Sequence, residues 1–139
     1  MIIYCTGDKT GDPSHKKFYK DLIDFSESLG LTVLAEFSHK FASTILLTDK
    51  QIYKRNLKWI DGSRLILAEV SGPCLDVGFE IAYAIYQGKI PVLAVHRSEV
   101  KVPAMLSGCD STLLTIQKYN DPEEMQRIIK TFIKNIDNS

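Results

Sequence analysis

The chain has 139 residues, of which 45% are hydrophobic and 24% are charged, and its 17 basic residues balance 17 acidic ones. This length is typical of one domain that can bury a core without disulfides or a metal. A neutral chain has no long-range attraction for a nucleic acid polymer or an anionic membrane, so we expect neither as a partner.

The cysteines and histidines form no recognisable metal or disulfide motif. Cys5, Cys74 and Cys109 are odd in number and widely spaced, and no CxxC occurs, so neither a disulfide framework nor a thiolate zinc site is expected. No apolar run approaches the roughly 18–20 residues of a membrane span. The N-terminus resembles a strand rather than a signal peptide. We therefore expect a cytoplasmic protein without metal or cofactor.

The first half of the chain predicts two strands and two helices. Ile2–Thr6 is short, apolar and β-prone, which predicts a buried first strand. The polar loop after it lacks the spacing of a Walker A loop. Apolar residues from Phe18 to Leu29 recur at helical spacing, and Gly30 can end that helix. Leu31–Phe37 predicts a second strand and Asp49–Ile60 a second helix, while the residues between them remain unassigned.

The second half predicts three strands and two helices. Leu65–Val70 is nearly all apolar, as expected of a strand buried on both faces. Leu75–Gln87 predicts a helix that is apolar almost all round and therefore buried. Ile90–Val95 and Leu113–Ile116 predict the last two strands.

The final helix is the clearest predicted element. Asp121 can cap it, Pro122 fits its first position, and Glu124 can reach back as in a capping box. Its apolar stripe comprises Met125, Ile128, Ile129, Phe132, Ile133 and Ile136. Together, the elements predict a single α/β domain over residues 1–139. Its core is an open, mostly parallel five-stranded sheet with helices on both faces, of flavodoxin or Rossmann type.

Glu80 is the strongest candidate for chemistry. It lies in the apolar third helix, where burying a carboxylate without partners is costly. We expect it near the N-terminus of that helix, whose dipole favours an anion. Gly78 can open space for a ligand beside it. The alternative is a glutamate that only stabilises the first turn.

The central stretch of the chain carries a family resemblance. Residues 65–84, LILAEVSGPCLDVGFEIAYA, resemble the signature of the nucleoside 2-deoxyribosyltransferase superfamily. The likeness is closest to its short branch, the 2'-deoxynucleoside 5'-monophosphate N-hydrolases. Weaker similarities to this family lie at Tyr4–Gly7, Asn56–Trp59, Gly88–Val92 and Ala104–Met105.

The resemblance implies an N-glycosidase that cleaves the base–deoxyribose bond of a 2'-deoxynucleoside or its 5'-monophosphate. Glu80 would attack C1', Tyr4 would position it, and Asn56 takes the place of a family aspartate. Substrate contacts are implied for Cys5, Thr6, Gly7, Asp8, Gly11, Cys74, Asp76, Gly78, Ala104 and Met105. The family also implies a homodimer in which the late loop of one subunit closes the site of the other.

The chain departs from the family at four positions. Asn56 cannot donate a proton as an acid. Asp8, Cys74 and Pro103 replace serines that contact phosphate in the nucleotide hydrolases. The base and the need for a 5'-phosphate are therefore left open.

Two questions about the reaction also stay open. Asp8, Asp61 and Asp76 could replace the missing carboxylate, or they could be ordinary cap or turn residues. The short chain, which ends in Asn-Ser, favours a hydrolase over a transferase. A catalytically weak nucleotide-binding or sensing module is the alternative. A receiver-like signalling domain is a weaker one, because no acidic pair follows the first strand.

Overall fold

The computed structural model describes residues 1–38 and 45–138. Its centre is a five-stranded sheet in the order β2-β1-β3-β4-β5, in which every pair of neighbouring strands is parallel. The strands are β1 (Ile2–Gly7), β2 (Thr32–Leu34), β3 (Leu65–Glu69), β4 (Val92–Arg97) and β5 (Leu114–Tyr119). The predicted α/β fold with a parallel five-stranded sheet is confirmed.

Within the described residues, five α-helices connect or follow the strands. They are α1 (Pro13–Ser28), α2 (Asp49–Asp61), α3 (Leu75–Ala82), α4 (Ala104–Ser107) and α5 (Pro122–Asp137). The third continues as a π-helical segment, Tyr83–Gln87, so the single predicted helix over this region is correct in extent. The one-turn helix α4 was not predicted, because four residues are too few for a periodic pattern. Among the described residues, no helix has the length and apolar character that crossing a membrane requires.

Strand β2 is shorter than predicted, and this affects the site. It pairs only with β1, through three residues, because it lies at the edge of the sheet. The chain then turns, and the Ser38 N–H donates to the Ala35 carbonyl at 3.2 Å. Glu36 therefore lies in a turn at the carboxyl end of β2 rather than inside a strand. Residues 39–44, which belong to the stretch left unassigned by the sequence, lie outside the described residues.

Helices cover both faces of the sheet because β1 alternates between two cores. Ile3 and Cys5 pack with buried residues of α1 and α5. Tyr4 packs on the opposite face with buried residues of α2 and α3. Successive residues of a strand point to opposite faces, so this alternation decides which β1 side chains can meet α3.

The helix termini largely follow the sequence. Asp121 caps α5 by accepting from the Glu124 N–H at 2.8 Å. The Glu124 carboxylate accepts from the Asn120 N–H at 3.0 Å, so the predicted capping box is wrong by one residue. Gly30, with φ of +82°, follows α1 in the left-handed conformation that favours glycine.

The close packing of α1 on β1 gives a testable prediction. A Cβ on Gly7 would lie 2.7 Å from Cγ of Tyr19, so Gly7→Ala must displace that ring. We expect the substitution to lower the free energy of unfolding by about 1–3 kcal/mol, measured by urea denaturation. Gly62→Ala is the matched control, since its nearest neighbour would be 3.6 Å away. A change below about 0.5 kcal/mol for Gly7→Ala would contradict the packing argument.

Candidate active site

Glu80 lies where α3 packs over the carboxyl half of β1. Its side chain is largely buried, with 6% of the residue exposed. Oε2 accepts a hydrogen bond from the Tyr4 hydroxyl, and Oε1 accepts one from Oγ1 of Thr6 at 2.8 Å. Tyr4 and Thr6 are two residues apart on one strand and therefore share a face. The two hydroxyl donors thus approach the carboxylate from the same strand.

The prediction that the N-terminus of α3 stabilises the Glu80 carboxylate is wrong. Glu80 is the sixth residue of α3, which begins at Leu75, so it lies beyond the free N–H groups of the first turn. Its partners are side chains of other elements instead. The helix terminus is not what holds the anion.

A third donor reaches Glu80 from α2. Nδ2 of Asn56 lies 3.4 Å from Oε2 of Glu80 and 3.4 Å from Oε1 of Glu36. Nε of Arg55 donates to Oδ1 of Asn56 at 3.0 Å. Because its carbonyl oxygen faces that cation, the Asn56 amide presents its nitrogen to both carboxylates.

Glu36 is a site residue that the sequence analysis missed. Its carboxylate pairs with Nζ of Lys9 at 3.0 Å and with Nη2 of Arg55 at 3.2 Å. A charged residue near the carboxyl end of a predicted parallel strand was the available signal. The predicted strand Leu31–Phe37 hid this signal by placing Glu36 in its interior.

Burial dominates the electrostatics of the site. It raises the pKa of Glu80, and the negative charge of Glu36 adds to this. Hydrogen bonds from Tyr4 and Thr6, and the charge of Lys9, oppose the rise. Burial and then the Glu80 charge hold the pKa of Tyr4 far above its usual value, so Tyr4 remains a phenol that donates to Glu80.

Two implied substrate residues of β1 face away from Glu80. Cys5 is fully buried with α1 on the opposite face of β1, and burial raises the pKa of its thiol to about 12. Strand alternation turns the Cys5 side chain to the other core, so only its backbone faces the side of β1 on which Glu80 lies. Gly7 lacks a side chain where Tyr19 packs, which gives it a packing role.

Asp8 is held inside its own loop. It is 3% exposed, and Oδ1 accepts from the N–H groups of Thr10 at 3.2 Å and Gly11 at 3.1 Å. Nδ1 of His15 lies 3.3 Å from Oδ2. A Cβ on Gly11 would lie 2.4 Å from Oδ2. These contacts favour the turn interpretation of Asp8 over a stand-in catalytic carboxylate.

Four of the remaining implied substrate residues lie on the other side of α3, whereas Asp76 is four residues before Glu80 in α3 and so lies on the same side of the helix as Glu80. Cys74, Gly78, Ala104 and Met105 line an open groove of about 750 Å³ between α3 and α4, and Glu80 is not among its lining residues. Asp76 is exposed in the first turn of α3. Within one chain, the implied site is therefore divided between two faces of α3.

The turn that leads into α3 is fixed by a second buried carboxylate. Glu69, at the end of β3, accepts from the Ser71 N–H at 2.6 Å, from Oγ of Ser71 at 3.1 Å and from the Tyr119 hydroxyl. Burial raises its pKa. These contacts tie the start of α3 to β5 and so help to fix the position of Glu80.

Neither of the other two carboxylates considered from the sequence contacts the nucleophile candidate. Asp61 accepts from the Tyr83 hydroxyl at 2.8 Å, which is an ordinary surface contact at the end of α2. Within residues 1–38 and 45–138, no group of three or more His, Cys, Asp or Glu side chains is arranged to hold a metal ion.

Comparison with known proteins identifies relatives along nearly the whole chain. The sequence profile described as Nucleoside 2-deoxyribosyltransferase matches residues 3–135. A protein of Methanosarcina mazei, named provisionally as a 2'-deoxynucleoside 5'-phosphate N-hydrolase, is 33% identical over 95% of this chain and 83% of its own. The 5-hydroxymethyl-dUMP N-hydrolase of Esox lucius is 28% identical over 98% of both chains.

Solved structures show the same fold. The Clostridium botulinum CMP N-glycosidase BcmB superposes with a TM-score of 0.68 at 17% identity, over 94% of this chain and 99% of its own. A 2-deoxyribosyltransferase from Bacillus psychrosaccharolyticus gives the same TM-score at 14% identity, over 91% and 90%. The profile match and the M. mazei relative confirm the resemblance inferred from residues 65–84: this chain belongs to the nucleoside 2-deoxyribosyltransferase family.

Proposed function

We propose that this chain is an N-glycosidase that cleaves the base–deoxyribose bond of a 2'-deoxynucleoside or its 5'-monophosphate, with Glu80 as the nucleophile. The observation that carries the proposal is a buried carboxylate held by the hydroxyls of Tyr4 and Thr6 at the carboxyl edge of the sheet. Ligands bind at this edge in open parallel sheets. The names of the sequence relatives support hydrolysis of a nucleotide N-glycosidic bond.

The proposed reaction proceeds in two displacements. An Oε of Glu80 forms a bond to C1' while the C1'–N bond breaks, and the electron pair leaves with the base, which takes a proton. Water then attacks C1', the C1'–Oε bond breaks, and the carboxylate is restored, as in retaining glycosidases. Without a 2'-hydroxyl, the developing positive charge at C1' is easier to reach.

Each side chain around Glu80 has a role in this scheme. Tyr4 and Thr6 orient one oxygen each, which leaves the carboxylate in a fixed position for attack. Asn56 donates to the oxygen that Tyr4 also contacts. Partial removal of Glu80 from water raises its pKa and makes its ionised form a stronger nucleophile.

A homodimer would unite the two halves of the implied site. Leu75 and Met105 line the groove and are 94% and 88% exposed, and Tyr86 and Phe79 beside them are also exposed. Apolar clusters of this kind mark interaction surfaces. We propose that a second copy of the chain covers this groove, so that Ala104 and Met105 of one subunit approach the site of the other.

The first prediction from the proposed function concerns base release. The wild-type protein should release free base from at least one member of a panel of 2'-deoxynucleosides and their 5'-monophosphates, measured by liquid chromatography. Glu80→Gln should lower the rate at least about 1000-fold, as loss of a covalent nucleophile does elsewhere. Glu123→Gln, which changes an exposed glutamate of α5, should leave the rate unchanged.

Three outcomes of this assay separate the alternatives. Base release no higher than that of Glu80→Gln would contradict the proposal. Tight nucleotide binding without turnover, unchanged by Glu80→Gln, would favour a sensing module. Transfer of deoxyribose to an added second base would identify a transferase rather than a hydrolase.

The second prediction concerns pH. Glu80 must be ionised to attack, so kcat/KM should fall as the pH drops through its raised pKa, above the usual glutamate value of about 4.3. The Tyr4 hydrogen bond lowers that pKa. Tyr4→Phe should therefore move the acidic limb of the kcat/KM profile to higher pH and lower its plateau about 10- to 100-fold. An acidic limb that stays in place would argue against a Tyr4 contact with the nucleophile.

The third prediction concerns the dimer. Leu75→Glu should convert the protein to a monomer in light scattering after size-exclusion chromatography, because a charge on the groove disfavours its burial. Leu46→Glu is the matched control, since Leu46 is 98% exposed and does not line the groove. A wild-type monomer, or an oligomer unaffected by Leu75→Glu, would contradict the proposed interface.

A further inference from the structure

Glu36 and Glu80 form a pair of carboxylates linked through one amide. The Asn56 nitrogen lies 3.4 Å from an oxygen of each. Burial raises the pKa of Glu80 and of Tyr4 most, and the negative charge of Glu36 adds a smaller rise to both. A pair of carboxyl groups around the reacting carbon is the arrangement that retaining glycosidases use.

Glu36 also occupies a different environment from Glu80. Its side chain is 20% exposed, and Lys9 and Arg55 contact it from two different elements. Lys9 and Arg55 hold it through two ion pairs. Glu36 is therefore a carboxylate at the edge of the site that solvent water can reach.

The side chains that contact Glu80, and Asp8 in the loop after β1, cannot readily accept a proton from water. The Asn56 amide does not exchange a proton as an acid or base. Tyr4 keeps its phenol proton and donates it to Glu80. Thr6 is an alcohol that also donates to Glu80. Asp8 is buried and bonded within its own loop.

We propose that Glu36 is the second catalytic carboxylate of this chain, and that it acts as the general base when water resolves the glycosyl–Glu80 intermediate. This inference rests on the proposed function. Glu36 takes a proton from water, the water oxygen bonds to C1', and the C1'–Oε bond breaks with its electron pair returning to Glu80. Glu36 then gives its proton to solvent. In the earlier displacement, which forms the intermediate, the departing base takes its proton from solvent. Asn56 is a positioning residue that donates to both carboxylates and so fixes their relative position.

Pre-steady-state kinetics with Glu36→Gln test the proposal. The first displacement should survive, giving a burst of about one equivalent of base per active site, followed by steady turnover about 100-fold or more below wild type. Intact-protein mass spectrometry should show a deoxyribosyl adduct, and peptide mapping should place it on Glu80. Glu123→Gln, which removes a glutamate charge elsewhere, should show neither effect.

Azide rescue separates general-base catalysis from a structural role. Azide attacks C1' without needing deprotonation, so it should restore turnover of Glu36→Gln by forming the glycosyl azide. Steady turnover within about threefold of wild type, or slow turnover with neither adduct nor azide rescue, would overturn the proposal.

A second variant covers the case in which Glu36→Gln does not fold. Glu36→Asp keeps the negative charge beside Lys9 and Arg55 but withdraws the carboxylate by one methylene, so it should also turn over slowly and respond to azide. Wild-type turnover in Glu36→Asp would overturn the proposal. Failure of the proposed function is distinguishable, because the wild-type protein would then release no base and form no adduct.

Discussion

The hydrogen bonds between the buried Glu80 carboxylate and the hydroxyls of β1 are the interaction on which the site depends. A carboxylate with 6% exposure loses most of its hydration, and that loss must be offset by donors inside the protein. Tyr4 and Thr6 supply them from one strand face. These hydrogen bonds require α3 to keep a fixed position on the sheet. The Glu69 contacts at the turn before α3 help to fix that position.

The two carboxylates of the candidate site, Glu80 and Glu36, have different kinds of partner. Glu80 has neutral donors in contact, whereas Glu36 has the two cations Lys9 and Arg55. This division gives two carboxylates different environments a short distance apart, one desolvated and one in ion pairs with access to solvent. Distinct environments allow chemically similar groups to take different roles in one reaction.

Helix α3 serves two functions through its two faces. One face buries Glu80 against β1, and the other lines the open apolar groove with residues such as Gly78 and Phe79. The helix is apolar almost all round because one face is buried against β1 and the other lines the apolar groove. This explains why residues that the family resemblance assigns to one site lie on opposite sides of a helix within a single chain.

The sequence by itself determined the parallel α/β fold, the position of Glu80 in an apolar helix, and the family. Buried faces of strands and helices give periodic apolar patterns in the sequence, and residues 65–84 are distinctive of the family. Only the tertiary structure decided which polar groups meet. Tyr4 and Glu80 are 76 residues apart in sequence, and Glu36 reaches Asn56 only because β2 ends early at the sheet edge. Local patterns record whether a residue is buried. They do not record which distant side chain it faces, which depends on how strands and helices pack.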